Sequence, residues 1–271
     1  MVEIDYTHII DNMVWSYSRI KSFEMCPYRF YLKYIWPKLP ENSGKRLEPK
    51  DMFFSSYGSF VHKLLEHYFR NEMTQRELIR SYLRDFKTEV KARAPNPKIF
   101  KSYFDGGLQY LKEIAPLPYD MVAVEKEVNF KLDGIPFVGY IDFLGEKNGE
   151  LFVVDNKSRM LKPRSHRQKP TKSDMELDSY LKQLYIYSYA VEEEYGMLPK
   201  ALCFNCFRNN TLIMEPFNVE AYSDSKRWLM DSISEIRKEK EFKPAIEYFQ
   251  CTHLCEMQGD CEYFDLTKKK R

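Results

Sequence analysis

Across residues 121–157 apolar and polar positions alternate with a period of two, and two Gly-containing breaks, Asp133-Gly134 and Asn148-Gly149, interrupt the alternation. Alternation bounded by such dipeptides predicts three strands joined by two-residue type I′ hairpins. Elsewhere the apolar spacing is helical. "SYSRIKSFEMCPYRFYLKYIW" reads as a helix capped at Ser18, with Pro27 breaking it or opening a second one. Further helices are predicted over 58–69, 75–93, 102–113, 178–196 and 223–239, and strands over "ALCFNCF" and 211–217. A Pro-, Gly- and charge-rich loop fills 37–51. Helices before and after a small sheet define an α/β layered domain.

The strands contain residues that an apolar sheet does not need. With Asn148-Gly149 as the turn, residue 147 pairs with 150 and Asp142 falls opposite Asp155. The upstream turn sets Glu125 opposite Asp142, so three carboxylates form a row, and Lys157 shares the face of Asp155. Tyr140 shares the face of Asp142, while Ile141, Phe143, Phe152 and Val154 make an apolar face that a helix can cover. Like charges directly opposite one another destabilise a pair, so the row requires compensation. Hard Mg²⁺ or Mn²⁺, which prefer carboxylate oxygens, would supply it. An exposed hairpin face with Lys157 as a cross-strand ion-pair partner would give the same alternation, but two independent turns converge on one row.

Composition narrows the class. The chain has 271 residues, 44% hydrophobic and 15% aromatic, enough for one large domain over 1–271. No run of 18 apolar residues appears and the first residues lack a signal-peptide layout, so a cytoplasmic protein with no membrane partner is expected. A net charge of +2 does not imply nucleic acid by itself. The six cysteines then point to metal or cofactor ligation before disulfides. Cys251, Cys255 and Cys261 are spaced C-x3-C-x5-C, with Cys26 far upstream, a set suited to zinc or to an iron–sulfur cluster. Cys203 and Cys206 lie three apart on a predicted strand, point to opposite faces and are expected in the core. Beyond the third strand, Arg159, Lys162, Arg164, Arg167, Lys169 and Lys172 follow with no acid before Lys172. Such a loop is either a phosphate-backbone contact or simply solvated. Tyr180 and Tyr185 nearby offer faces on which bases could stack.

Asp142 followed by "VVDNKS", with Asp155, Asn156 and Lys157, resembles the acid and (D/E)-X-K elements of the PD-(D/E)XK nuclease superfamily. "GSFVHKLLE" resembles the Gly-x-x-x-His helix of its RecB/AddB-like branch and of CRISPR-associated Cas-four-type exonucleases, giving His62. "QLYIY" resembles their Gln-x-x-x-Tyr helix, giving Gln183 and Tyr187, and both cysteine segments fit. The motifs run in the family's order from about 16 to 264. Asn156 departs mildly, filling a slot often held by an aromatic or aliphatic residue.

The resemblance implies a three-layer restriction-endonuclease-like core, a central mixed sheet flanked by helices. An iron–sulfur element would join segments 16–36 and 245–264, ahead of a basic tail over 265–271. It implies metal-dependent DNA hydrolysis, with Mg²⁺ or Mn²⁺ held by His62, Asp142, Asp155 and the Asn156 carbonyl. Lys157 would orient or deprotonate the attacking water, and Glu125 would be an outer-shell or second-metal ligand. Gln183 and Tyr187 would position Lys157 or the phosphate. A structural 4Fe–4S cluster on Cys26, Cys251, Cys255 and Cys261 is favoured over zinc. The expected activity is exonucleolytic, on single-stranded DNA or DNA ends. A separate helicase, recombinase or CRISPR integration partner is implied, in a CRISPR, repair, recombination or phage setting. A DNA-end-binding partner protein with weak or no cleavage is the alternative, and a redox carrier would leave the acid row unexplained. No Walker-type loop is present, so any ATP-driven partner would be another chain.

Overall fold

The computed structural model describes residues 6–270. The first helices are α1 (Thr7–Asp11), α2 (Tyr17–Met25), α3 (Pro27–Phe30), α4 (Phe53–Phe69), α5 (Gln75–Glu89) and α6 (Pro97–Glu113). Three strands follow, β1 (Asp120–Leu132), β2 (Ile135–Lys147) and β3 (Glu150–Lys157), then α7 (Lys172–Tyr195). The chain continues through β4 (Ala201–Cys206), β5 (Thr211–Pro216), α8 (Val219–Lys238) and α9 (Tyr248–His253). Among the described residues no helix is long and apolar enough to cross a membrane. Two compact units emerge: Met1–Ser55 with Lys131–Phe137 and Lys226–Arg271, and Ser56–Phe130 with Val138–Ser225.

The five strands form one mixed sheet in the order β1-β2-β3-β4-β5, so the fold is α/β with a mixed sheet and helices. Both turn dipeptides behave as expected: Asp133 and Gly134 have φ +49° and +80°, Asn148 and Gly149 +56° and +79°. Positive φ at both central residues is what a type I′ turn requires. The β2–β3 register runs from Lys147↔Glu150 to Phe143↔Val154, as the Asn148-Gly149 turn dictates. β3 and β4 are parallel, which demands a crossover, and α7 provides it. This helix starts at a capping box in which Thr171 and Asp174 exchange hydrogen bonds, and it stops at left-handed Gly196.

In the second unit the two sheet faces carry different cargo. On one face Phe69 of α4 packs on Phe143, Tyr119 stacks on Phe152, and Tyr110 of α6 bonds to Asn205. On the other, α7 sets Tyr180 against Phe204 and Gln183 against Lys157. Cys203 and Cys206 are both fully buried on β4, as expected of core cysteines.

In the first unit α2 is capped by Ser16, not Ser18. Ser16 is extended (φ −150°, ψ 159°) and its Oγ accepts the Arg19 N–H, whereas Ser18 is already helical. Pro27 occupies the first turn of α3, where its missing N–H leaves nothing unsatisfied. Trp15, Phe30 and Phe242 stack as a buried core. The chain end is a 3₁₀ segment over Phe264–Lys270, and Arg271 of the basic tail lies outside the described residues.

Candidate active site

The β2–β3 ladder's paired residues stop one step short of the two acids. There Oδ2 of Asp142 accepts the Asn156 N–H at 2.6 Å, so a carboxylate takes a backbone donor that a ladder carbonyl would otherwise occupy. Asp142 and Asp155 are nearly fully buried, at 8% and 4% exposure, so both are desolvated. Burial first, and then the neighbouring Asp155, push Asp142 up to about 6. Glu125 is raised to about 7, by burial and then by Asp142 and Glu66. Both shifts record burial first and carboxylate crowding second, which His62, Arg70 and Lys157 relieve only in part.

His62 on α4 completes the cluster. Its Nδ1 lies 3.4 Å from Asp142 and 4.0 Å from Glu125, and the ligand atoms of all three fall within 4.8 Å of one another. Glu125 has φ +48° inside β1, a strained backbone for a non-glycine residue, at the very position whose carboxylate reaches His62. The carboxylate of Glu125 thus lies beside His62 and Asp142 in one cluster. Asp155 stands outside this triangle: its buried Oδ2 meets the Lys157 ammonium at 2.8 Å. A set of one imidazole and three carboxylates fits a divalent cation that favours oxygen ligands.

Lys157 is enclosed as well as paired. Oε1 of Gln183 accepts its Nζ at 3.1 Å, and Nε2 of Gln183 donates to the Tyr187 hydroxyl at 3.2 Å. The motif glutamine and tyrosine thus act on the lysine. Burial would push this ammonium down, but Asp155 more than offsets it, leaving Lys157 above the ordinary lysine range. Tyr187 reaches its place because position 139 is glycine: a Cβ there would lie 2.3 Å from the Tyr187 ring.

Two supports escaped the sequence reading. Nδ2 of Asn205 donates to Oδ1 of Asn156 at 2.7 Å and to the Tyr110 hydroxyl at 2.8 Å, a buried polar trio behind the catalytic strand. The signal was a lone asparagine in the apolar run "ALCFNCF". Gly139, a glycine inside a strand, is the other, since such glycines mark close approaches.

The basic segment 159–172 divides into two groups. Arg159 pairs with Glu176 at 2.5 Å, and Arg164 is held by both Asp178 and Glu215 at 2.6 Å. Asp174, which accepts from Ser165 and Thr171, ties the same loop to α7. Lys162, Arg167, Lys169 and Lys172 are exposed and make no ion pair among the described residues.

In the first unit, Cys26, Cys251, Cys255 and Cys261 line one otherwise largely apolar pocket with Leu32 and Met257. Cys26 Sγ accepts the Ala245 N–H at 3.4 Å, and Cys251 approaches the Ala245 carbonyl. Burial raises the Cys251 and Cys261 thiols and takes Cys255 to about 11. Glu256 braces the rim, receiving Arg29 at 2.7 Å and Lys33 at 2.5 Å. Among the described residues, no three cysteine sulfurs lie within 4.8 Å of one another.

The family model of the PD-(D/E)XK nuclease superfamily matches residues 14–262, and the chain belongs to that superfamily. Its members are nucleases that use divalent metals, with DNA as the substrate the family implies. No curated protein matches the chain. One similar solved structure is a "Putative exonuclease" from Eubacterium rectale, 12% identical, covering 98% of this chain and 96% of that one, with a TM-score of 0.46. Another, SSO0001, is 15% identical and covers 75% and 95%, with a TM-score of 0.32. At these scores neither likeness bears on function.

Proposed function

We propose that the protein is a divalent-metal-dependent deoxyribonuclease of the RecB/AddB-like or Cas-four-like kind, acting as an exonuclease on single strands or ends. The observation that carries the metal-dependent reading is the meeting of His62, Glu125 and Asp142 within 4.8 Å, beside the Asp155–Lys157 pair. His62, Glu125 and Asp142 would hold the cation, with Asp155 and the Asn156 carbonyl completing the set. The chemistry supplied when Mg²⁺ or Mn²⁺ is bound is polarisation of a phosphate oxygen and a lower pKa for the attacking water. Lys157 presents a fixed positive charge where negative charge builds on the phosphate, at no reorganisation cost during the reaction. Gln183 and Tyr187 keep that charge in place. Lys162, Arg167, Lys169 and Lys172 grip the sugar–phosphate backbone without reading bases.

Exonucleolytic action and the branch rest on the ordered motif set. A structural 4Fe–4S cluster on Cys26, Cys251, Cys255 and Cys261 is supported by their shared pocket. The carboxylate, lysine and histidine set argues for cleavage over mere end binding. The test uses anaerobically purified protein on end-labelled linear and on circular single-stranded DNA, with Mg²⁺, Mn²⁺ or EDTA. Linear DNA is expected to be degraded only with metal, and the circle to survive. Cutting of the circle would remove the exonuclease part; no metal-dependent cleavage of either would remove the whole reading.

A further inference from the structure

The catalytic lysine sits in an aromatic corner that the acid and glutamine contacts do not account for. Its Nζ lies 5.3 Å from the centre of the Tyr180 ring and 5.9 Å from that of Phe204. The two rings meet edge to face, with centroids 6.3 Å apart and planes at 76°. Phe204 is fully buried on β4, directly opposite Asp155 in the parallel register, and cannot turn away. Tyr180 is half-buried on α7 and closes the corner from the helix side.

Spacing along α7 explains how Tyr180 comes to be there. Glu176, Tyr180, Gln183 and Tyr187 recur at intervals of four, three and four, which places them on one stripe of the helix. Each has work on that stripe: Glu176 pairs with Arg159, Gln183 bonds to Lys157, and Tyr187 bonds to Gln183. The motif pair is the C-terminal half of a longer positioning surface.

We infer that Tyr180 is a positioning residue for the catalytic lysine: with Phe204 its ring holds the Lys157 ammonium at the reacting phosphate. The attraction is between the ammonium and the ring faces, whose electron density favours a cation within about 6 Å of the centroid. A lysine side chain has many rotamers, and freezing it in one requires contacts on several sides. Asp155 and Gln183 supply polar contacts, and the two rings supply the rest. The ring, not the hydroxyl, is the working part. An alternative use of Tyr180, stacking against a base of the substrate strand, makes a different demand, because then affinity for DNA and not turnover depends on it.

The activity part of this inference rests on the nuclease reading; the labelling part does not. Tyr180→Leu, Tyr180→Phe and Tyr180→Trp are compared with wild type for thermal stability, DNA affinity, kcat and KM. Modification of Lys157 by an amine-selective ester is followed alongside by peptide mass spectrometry. Tyr180→Leu is expected to lower kcat about tenfold, the loss of one cation–π contact of ordinary strength, with KM and DNA affinity little changed. It is also expected to raise Lys157 labelling severalfold, while Tyr180→Phe and Tyr180→Trp stay close to wild type in both. If Tyr180→Leu leaves Lys157 as protected as before, the inference is wrong, whether or not the protein cleaves DNA. It is equally overturned if DNA affinity falls while kcat holds, which would assign the ring to base stacking. A Phe variant as impaired as the Leu variant would assign the role to the hydroxyl instead. Should Tyr180→Leu fail to fold, Tyr180→Trp and Tyr180→Phe still decide between ring and hydroxyl through the labelling.

Discussion

The carboxylate site of the second unit and the cysteine pocket of the first, the two metal sites proposed above, are ordered in different ways. At the carboxylate site much of the ordering is internal: Asn156 N–H fixes Asp142, Lys157 pairs with Asp155, and Gln183 fixes Lys157. Its residues come largely from strands and helices locked by hydrogen-bond ladders. The cysteine pocket gathers segments more than 200 residues apart, and burial raises the Cys251, Cys255 and Cys261 thiols, against which Arg29 only partly pulls Cys255 down. The first site can hold its shape while waiting for an ion. The second is held across the chain ends by Gln250 on the Met25 carbonyl and by Glu256 on Arg29 and Lys33, and a bound cluster, as proposed, would add to that order.

The largest effect that could break this contrast is on activity. Asp155→Ala or Lys157→Ala is expected to cut cleavage by about a thousandfold or more, because each removes charge that acts in the transition state. Iron content and colour should stay as in wild type. Loss of colour in these variants would show that the two sites are not separately ordered.

The converse experiment comes next in size. Cys26→Ser should lose the absorption near 400 nm that a 4Fe–4S centre gives. The same variant should become sensitive to protease before residue 36 and after residue 245, and activity should fall only as the fold loosens. Anaerobically expressed protein with stoichiometric zinc and no iron would replace the cluster and leave the nuclease chemistry untouched.

Gly139→Ala probes internal ordering without touching a charge. The added Cβ meets the Tyr187 ring at 2.3 Å, so overpacking should cost about 1–3 kcal/mol and displace Gln183 from Lys157. Activity is expected to fall more steeply than thermal stability explains; unchanged kcat in a folded variant would show that the glutamine relay is dispensable.

The smallest effect is the pH response. Glu125 and Asp142 are raised in the fold, to about 7 and about 6, so the folded state holds their protons more tightly than the unfolded chain does. Their contribution to stability is therefore fully present below pH 4 and is lost as pH rises toward 7. In EDTA, wild type should lose melting temperature over that window and Glu125→Gln should lose less. The gain in melting temperature on adding Mn²⁺ should grow over the same window, since the ion competes with those protons. A Mn²⁺ gain equal at pH 5 and pH 7.5 would place the ion elsewhere.

Much of this site could be read from the chain because local rules govern it. Asn148-Gly149 set the β2–β3 register, and that register alone brings Asp142 to Asp155. The Gln183 and Tyr187 spacing placed both on one helix face. What escaped depends on partners far along the chain. Arg164 reads as a free cation until the fold brings Asp178 and Glu215 to it. Glu125 is placed in the carboxylate row by the Asp133-Gly134 turn, but its left-handed kink leaves no mark on the alternation. The helix start moved from Ser18 to Ser16 because both serines are good caps, and only the backbone angles choose between them.

The buried amide trio behind β3 has a consequence for how the chain finds its fold. β3 and β4 are parallel and joined by a crossover of more than forty residues, so no turn sets their alignment. A slip of one residue would lay Asn156 against Phe204 or Cys206 and leave the Asn156 and Asn205 amides without each other in an apolar layer. Buried polar groups without partners cost about 1–3 kcal/mol each, whereas an apolar pair would slide at little cost. Asn156 and Asn205 thus act as a key cut for one alignment, penalising a misthreaded crossover.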